Sequence, residues 1–213
     1  MHTDRTTFLI DGFNLYHSVI EASTDLHGAS TKWLNIRALC ESYLYTLGPD
    51  NRTEELYYFS ALAHHKTPKD PDTVARHLAF IDCLKSTGFV VELARFKEKW
   101  VWCDGCKQTR LRHEEKETDV ALAVKLIELF CERRCDTAII MTGDTDIAPA
   151  VRFVQRHYPT KRVGFLFPYG RKNKELAQLA LSRKITKEQY QKYQFPRVVT
   201  LADGSLRTKP ATW

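Results

Sequence analysis

Short apolar runs alternate along this chain with longer segments of helical periodicity. Runs rich in β-branched residues and bounded by turn residues are typical of buried strands, whereas apolar positions that recur every three or four residues are typical of amphipathic helices. The predicted strands are residues 7–10, 54–62, 89–96, 136–143 and 161–168. The predicted helices are residues 31–48, 69–88, 118–134, 147–157, 173–180 and 186–193.

The alternation of strands and helices predicts the fold class. It favours an α/β fold, a three-layer sandwich in which a mostly parallel central sheet lies between helices. An inserted β-hairpin is expected at about residues 95–113, because Asp104-Gly105 is a favourable hairpin turn. We expect residues 1–185 to form one domain, and residues 186–213 to form a polar, partly flexible C-terminal extension.

Composition narrows the classes of function. The 213 residues are 43% hydrophobic and 27% charged, which is typical of a globular domain. No apolar run reaches the roughly 20 residues that span a bilayer, and the N-terminus lacks the apolar core of a signal peptide, so we expect a cytoplasmic protein with no membrane partner. The net charge of +6 favours an anionic partner, nucleic acid above all, although a mildly basic balance alone is common.

Carboxylates follow two of the predicted strands. Asp11 comes after the first strand, and Asp144 and Asp146 come after the fourth. The carboxyl ends of parallel strands share one edge of a sheet, where sites in such folds lie. Asp119 begins the helix before the fourth strand. Each acid alone has an ordinary explanation as a turn or helix-cap residue, but together they predict a site for a hard divalent cation.

The predicted hairpin carries a second candidate metal site. Cys103 and Cys106 are spaced as half of a zinc knuckle. A structural zinc site needs four ligands, which His113, another cysteine of this chain or a partner subunit would have to complete. The other candidates in this chain are Cys83, Cys131 and Cys135. The alternative is a simple Asp-Gly turn flanked by two free thiols.

Basic and aromatic residues are interleaved in the same hairpin. This pattern suits single-stranded nucleic acid, because cations follow phosphates while rings stack on bases. The residues are Lys97, Lys99, Lys107, Arg110 and Arg112 with Trp100 and Trp102. A solvated hairpin whose tryptophans pack on the core is the alternative. After the fifth strand, Arg171, Lys172 and Lys174 are a second candidate for phosphate contact.

Three segments carry a resemblance to a known family. They are FLIDGFNLYHS at 8–18, EKETDVALAVKLIEL at 115–129 and CDTAIIMTGDTDIAPAVR at 135–152. In this order they resemble the successive motifs of NYN domains, within the PIN-like nuclease superfamily, and the similarity spans residues 6–168. The resemblance implies a compact Rossmann-like α/β fold and metal-dependent cleavage of RNA.

The resemblance also implies roles for single residues. The catalytic acids would be Asp11, Asp119, Asp144 and Asp146, of which the first three would bind Mg²⁺ or Mn²⁺. Residues that would help to hold the substrate or the cation are Asn14, Thr142 and Thr145. One departure is that many relatives have Gly between the lysine and the helix acid, whereas this chain has Lys116-Glu117-Thr118-Asp119.

These observations favour a divalent-metal-dependent ribonuclease that acts on RNA, with single-stranded RNA expected as the partner, structural Zn²⁺ as an option and a homodimer left open. One alternative is an RNA-binding or regulatory protein of the same fold without catalysis. Another is a phosphatase of the haloacid dehalogenase type. That class needs a second Asp two positions after the first, where this chain has Phe13.

Overall fold

A seven-stranded sheet forms the centre of the protein, as seen in a computed structural model that describes residues 4–213. Residues 1–3, which begin the predicted domain, lie outside the described residues. The strands are β1 (Asp4–Asp11), β2 (Asn51–Ala61), β3 (Phe89–Cys103), β4 (Gln108–Lys116), β5 (Thr137–Met141), β6 (Arg162–Phe167) and β7 (Leu181–Lys184). Their spatial order is β4-β3-β2-β1-β5-β6-β7, and every neighbouring pair is parallel except β3 and β4.

Helices cover both faces of the sheet, which confirms the predicted three-layer α/β fold. Successive residues of β1 point to opposite faces, so Phe8 and Ile10 enter one core while Leu9 enters the other. The first core also receives Trp33, and the second receives Leu126. The helices are α1 (Gly12–Asp25), α2 (Ile36–Glu41), α3 (Thr73–Ser86), α4 (Thr118–Cys131), α5 (Ala148–His157), α6 (Lys174–Leu179) and α7 (Lys187–Lys192).

Two helical segments differ from the sequence prediction. The pattern does not predict α1, although Leu15, Val19 and Ala22 form its buried face at helical spacing. The single helix expected at 31–48 is instead the short α2, preceded by an Asn35 cap and followed by a separate 3-10 turn, Leu44–Leu47. The side chain of Asn35 accepts a bond of 3.1 Å from the Ala38 backbone N–H, which starts the helix there.

The predicted hairpin is present and extends away from the helical layers. The first part of β3, residues 89–94, pairs with β2, and the rest pairs with β4 in an unbroken antiparallel register. The turn lies between Cys103 and Gln108 and contains Asp104-Gly105. The hairpin is therefore a continuation of strand β3 of the central sheet.

The C-terminal extension packs on the same core as the domain. Its Phe195 is buried, and the ring of Trp213 lies 6.1 Å from Trp33 and 5.8 Å from Phe80. Two short antiparallel strands, β8 (Val198–Thr200) and β9 (Leu206–Thr208), were absent from the sequence prediction. The predicted boundary between the domain and its C-terminal extension at residue 185 stays a prediction. Across residues 4–213, no helix combines the length and apolarity that a membrane span requires.

Candidate active site at the carboxyl edge of the sheet

The parallel pairing of β1 and β5 brings two distant residues together. Ile10 pairs with Met141, so Asp11 and Thr142 follow side by side at the carboxyl edge. The Thr142 hydroxyl donates a 2.8 Å hydrogen bond to Oδ2 of Asp11. The same hydroxyl oxygen accepts a 3.1 Å bond from the backbone N–H of Asp144. One threonine therefore links the acid after the first strand to the acid after β5.

Asp11 is a buried carboxyl held by hydrogen bonds. Only 5% of the residue is exposed, and its Oδ1 accepts a 2.9 Å bond from the Asn14 backbone N–H at the start of α1. Burial raises the pKa of Asp11, the bonds from Asn14 and Thr142 oppose that rise, and the charge of Asp144 adds to it. A nearby cation would favour the ionised form of this carboxyl.

The loop that carries Asp144 and Asp146 is fixed from two sides. The side-chain oxygen of Asn14 accepts a 3.1 Å bond from the Gly143 N–H, and the Asn173 amide donates a 3.3 Å bond to the Gly143 carbonyl. A Cβ at Gly143 would overlap the backbone carbonyl oxygen of Arg171, so only glycine fits this approach. The loop then turns, with the Asp146 N–H donating a 3.0 Å bond to Oδ1 of Asp144.

Asp119 faces the same recess from the first turn of α4. The recess is lined by Asp11, Asp119, Leu122, Thr142, Asp144 and Ile147. Partial burial raises the pKa of Asp119 to about 6, together with the negative charges of Asp11, Asp144, Glu115 and Asp146. The three acids expected to bind a cation thus line one recess. Asp146 follows two residues after Asp144 and is exposed, as Asp119 and Asp144 are, and Thr145 begins a 3-10 turn.

The residue before α4 explains a departure noted in the sequence. Glu117 has a φ of 80°, in the left-handed region that favours glycine. Its carboxylate forms an exposed ion pair of 2.7 Å with Arg95. The Glu115 side chain accepts hydrogen bonds from both the backbone and the hydroxyl of Thr118. The tight turn that sets Asp119 at the recess is therefore kept here without glycine.

Among the described residues, the four candidate catalytic acids form no ion pair with a basic side chain. Within residues 4–213, no lysine, arginine or histidine forms an ion pair with Asp11, Asp119, Asp144 or Asp146. In that same part of the chain, no three acidic, histidine or cysteine side chains are grouped closely enough to hold a metal ion by themselves. An open group of carboxylates suits Mg²⁺, which uses one or two protein carboxylates together with water and substrate phosphate.

The predicted phosphate contacts lie beside this edge. Arg171 forms a 3.0 Å ion pair with Glu21, and its backbone contacts the Gly143 position. Lys172 and Lys174 are exposed. Partial burial lowers the pKa of His17, and the positive charges of Arg171 and Lys66 add to the effect. The charges of Arg171 and Lys66 therefore act on the exposed His17 of α1.

The suggested zinc ligands are not assembled in one chain. Backbone and thiol hydrogen bonds from Cys106 and a backbone bond from Gly105 lower the pKa of the Cys103 thiol, so the turn favours a thiolate. However, His113 pairs with Glu98, five residue pairs along the hairpin from Cys103. Cys83 and Cys135 are buried in the two cores. Cys131 instead accepts a 3.1 Å bond from Tyr158. Among the described residues, none of the suggested ligands completes a metal site with Cys103 and Cys106.

Sequence reasoning missed one residue of the site. Asn173 caps α6 through bonds to the backbone of Glu175 and Leu176, and its amide also holds Gly143. An Asn directly before a helical segment is a known capping pattern, but its second contact depends on β5 and β6 lying side by side. The sequence alone gives no indication of that contact.

Comparisons with known proteins agree with this fold. The NYN domain family matches residues 5–185. The 6-hydroxy-3-succinoylpyridine 3-monooxygenase of Pseudomonas putida is 25% identical over 244 residues, which covers 98% of this chain and 75% of that protein. A crystal structure of a protein of unknown function from Vibrio parahaemolyticus has a TM-score of 0.57 at 20% identity and covers 86% of this chain and 94% of that one. That structural likeness bears on the fold alone.

Proposed function

We propose that this chain, which belongs to the NYN domain family of PIN-like nuclease domains, is a divalent-cation-dependent ribonuclease. The observation that supports this most directly is the recess lined by Asp11, Asp119 and Asp144, none of which forms an ion pair with a basic side chain among residues 4–213. Such a group of carboxylates attracts a cation, and a cation in turn attracts a phosphodiester. The substrate that we propose is single-stranded RNA.

The side chains of the recess would have different roles in catalysis. Asp11, Asp119 and Asp144 would hold Mg²⁺ or Mn²⁺, which supplies Lewis-acid chemistry to the phosphodiester when bound. Thr142 keeps Asp11 oriented through its 2.8 Å hydrogen bond, and Asn14 keeps the Asp144 loop in place through Gly143. Asp146 would act as a further acid at the rim. Arg171 and Lys172 would contact the phosphates of the bound strand.

The reaction that fits this arrangement is hydrolysis in line with the leaving oxygen. A water oxygen forms a bond to phosphorus while the bond from phosphorus to the 3′ oxygen breaks. A proton from the water passes to an acidic side chain of the recess, and the 3′ oxygen takes up a proton. The products are a 5′-phosphate and a 3′-hydroxyl. No covalent bond to the protein forms, so the side chains contribute positioning and charge.

A second candidate function follows from the comparison with the Pseudomonas enzyme. Identity of 25% along almost the whole chain raises the option of oxygenase chemistry on a hydroxylated pyridine. That chemistry would require a reductant and O₂, whereas hydrolysis requires only water. The two candidates are therefore separated by their co-substrates. A third outcome, RNA binding without cleavage, would assign the fold a regulatory role.

The deciding experiment measures cleavage of a 5′-labelled single-stranded RNA by the purified full chain. The wild-type protein is incubated with Mg²⁺, with Mn²⁺ or with EDTA, beside Asp144→Asn and the matched surface variant Glu54→Gln. We expect cation-dependent cleavage by the wild type and by Glu54→Gln, and loss of at least a hundredfold in Asp144→Asn. Cleavage that persists in Asp144→Asn would place the chemistry elsewhere.

The same samples test the alternatives. Folded wild-type protein that binds RNA but leaves it intact in every cation would support the regulatory role. Reductant-dependent O₂ consumption with a hydroxylated pyridine, without RNA cleavage, would support the oxygenase. In both cases circular dichroism and the melting temperature show that the protein is folded.

A further inference from the structure

The two faces of the β3–β4 hairpin have different chemistry. Residues directly opposite each other in an antiparallel pair share a face, and successive residues alternate between faces. The observed register gives one face the pairs Glu98–His113, Trp100–Leu111 and Trp102–Thr109. It gives the other face the pairs Lys97–Glu114, Lys99–Arg112 and Val101–Arg110. The hairpin therefore has one aromatic face and one basic face.

The aromatic face continues into the body of the domain. His113 stacks on His65 with ring centroids 4.2 Å apart and planes 9° apart. His65 meets the edge of Phe96 at 4.5 Å, and Phe96 meets Phe13 at 5.5 Å. Phe13 lies two residues after Asp11, so the row of rings ends beside the recess. We call this row the aromatic track: Trp102, Trp100, His113, His65, Phe96 and Phe13.

The outer part of the track is open to solvent. Trp100 is 69% exposed and Trp102 is 55% exposed, so the alternative in which they pack on the core is wrong. Leu111, opposite Trp100, is exposed as well. Large exposed apolar groups that cluster on one face mark a surface for binding. The occupant should offer flat apolar groups at regular intervals.

Positive charge lies on the opposite face of the hairpin and near the inner end of the track. Among the described residues, Lys97, Arg110 and Arg112 of the basic face form no ion pair. At the inner end, Arg171 and Lys66 approach His17. Rings that stack on bases and unpaired cations that attract a phosphate backbone are the two requirements for binding a single strand, and this hairpin carries both. Duplex nucleic acid would keep its base faces covered.

We propose that the aromatic track is the path along which a single-stranded RNA reaches the acid recess, with unpaired bases stacked on its rings. The inference rests on the proposed function and defines the form and length of its substrate. Phe96 and Trp102 are six positions apart along β3, which corresponds to roughly 20 Å of strand. At about 3.4 Å per stacked nucleotide, some six nucleotides extend along the hairpin from the recess.

The test measures binding of fluorescently labelled RNA by anisotropy in the Asp144→Asn background, where cleavage does not interfere. Unstructured RNAs of 4, 8 and 12 nucleotides are compared in Mg²⁺ buffer. We expect affinity to rise with length, and Trp102→Ala or Trp100→Ala to remove most of that gain, with a loss of roughly tenfold for the 12-mer. The matched control is Tyr45→Ala. Tyr45 is a 79% exposed aromatic residue near the start of β2, at the amino edge of the sheet and away from the hairpin.

Distinct outcomes separate this inference from the proposed function. If both tryptophan variants bind the 12-mer as tightly as Tyr45→Ala does, the track is wrong, whatever the cleavage assay shows. Equal affinity for a 12-mer duplex would overturn it too. Length-dependent binding that needs Trp102, found in a wild-type protein that does not cleave, would retain the track and reject the nuclease. All of these side chains are exposed, so the variants should fold.

Discussion

The hydroxyl of Thr142 donates a 2.8 Å hydrogen bond to Asp11, a residue 131 positions earlier in the chain. The bond forms because β1 and β5 are parallel neighbours that end at the same level of the sheet. The same hydroxyl accepts a hydrogen bond from the Asp144 N–H. Thr142 therefore contributes to the separation between the carboxylates of Asp11 and Asp144. Residues that bond to the acids thus determine the shape of the recess as much as the acids themselves.

Replacing Thr142 should therefore impair the site without unfolding the protein. Thr142→Val keeps the shape of the side chain but removes both hydrogen bonds, leaving the buried Asp11 with one donor fewer and a higher pKa. We expect RNA cleavage to fall roughly tenfold to a hundredfold. Thr142→Ser, which keeps the hydroxyl, should retain most of the activity. Equal kcat/KM in the valine and serine variants would contradict this role.

The raised pKa of Asp119 predicts how stability depends on pH in the absence of divalent cations. The pKa is about 6 in the folded protein and near 3.8 in the unfolded chain, so between these values the folded state binds more protons. Stability should then fall as pH rises through this window. Because Asp119 is only partly shielded from solvent, screening limits the effect at pH 7 to about 1 kcal/mol.

Asp119→Asn isolates this contribution. In EDTA it should be more stable than the wild type at pH 7 and indistinguishable from it at about pH 3, where Asp119 is protonated in both states. Urea unfolding at the two pH values measures the difference. Glu54→Gln, on the opposite edge of the sheet, is the control and should show no such gain. A gain that is equally large at pH 3 would exclude charge repulsion as its cause.

Gly143 should tolerate no side chain. In Gly143→Ala the new Cβ overlaps the Arg171 carbonyl, so the loop carrying Asp144 must move away from Arg171 and out of its present position. A shift of about 1 Å in a catalytic group costs on the order of a hundredfold in rate. Gly105→Ala, at the hairpin turn where a Cβ meets nothing within 4 Å, is the matched control. Normal cleavage by Gly143→Ala would show that the loop position does not matter.

Asp136 illustrates a carboxylate that serves stability instead of chemistry. It precedes β5 at the amino edge of the sheet and accepts bonds from Arg5 at 3.1 Å and Lys161 at 2.6 Å. Burial alone would raise the pKa of Asp136, but the bonds from Arg5 and Lys161 outweigh it and hold the pKa well below its usual range. This stabilisation is present above about pH 4 and is lost as pH falls further.

Asp136→Asn should accordingly destabilise the protein by about 2–3 kcal/mol at pH 7, because two cations lose their partner in a largely buried setting. The loss should shrink at acidic pH, and the rate of RNA cleavage should be unchanged at a temperature where the variant is folded. Chemical denaturation at pH 7 and pH 3 provides the measurement. A fall in kcat without a fall in stability would disprove the structural role.

The local pattern of apolar and polar residues was sufficient to predict most strands of the sheet and to identify the candidate acids. Strands such as residues 137–141 are continuous apolar runs because both faces are buried, and this can be recognised without knowing the neighbours. Helix α1 was missed because Gly12 and the β-branched and hydroxyl residues that follow are weak helix formers. The helix is supported by packing of Leu15 and Val19 and by the Asp11 cap, which are tertiary effects.

The sequence by itself determined an α/β sheet, the family and the edge at which Asp11 and Asp144 lie, because strand period and order along the chain are local properties. Only the tertiary structure decided which groups touch. Strand register set the Thr142–Asp11 bond, the Asn14 and Asn173 contacts with Gly143, and the division of the hairpin into an aromatic and a basic face. Register depends on pairing between segments far apart in the chain, and a shift of one residue would reverse every face.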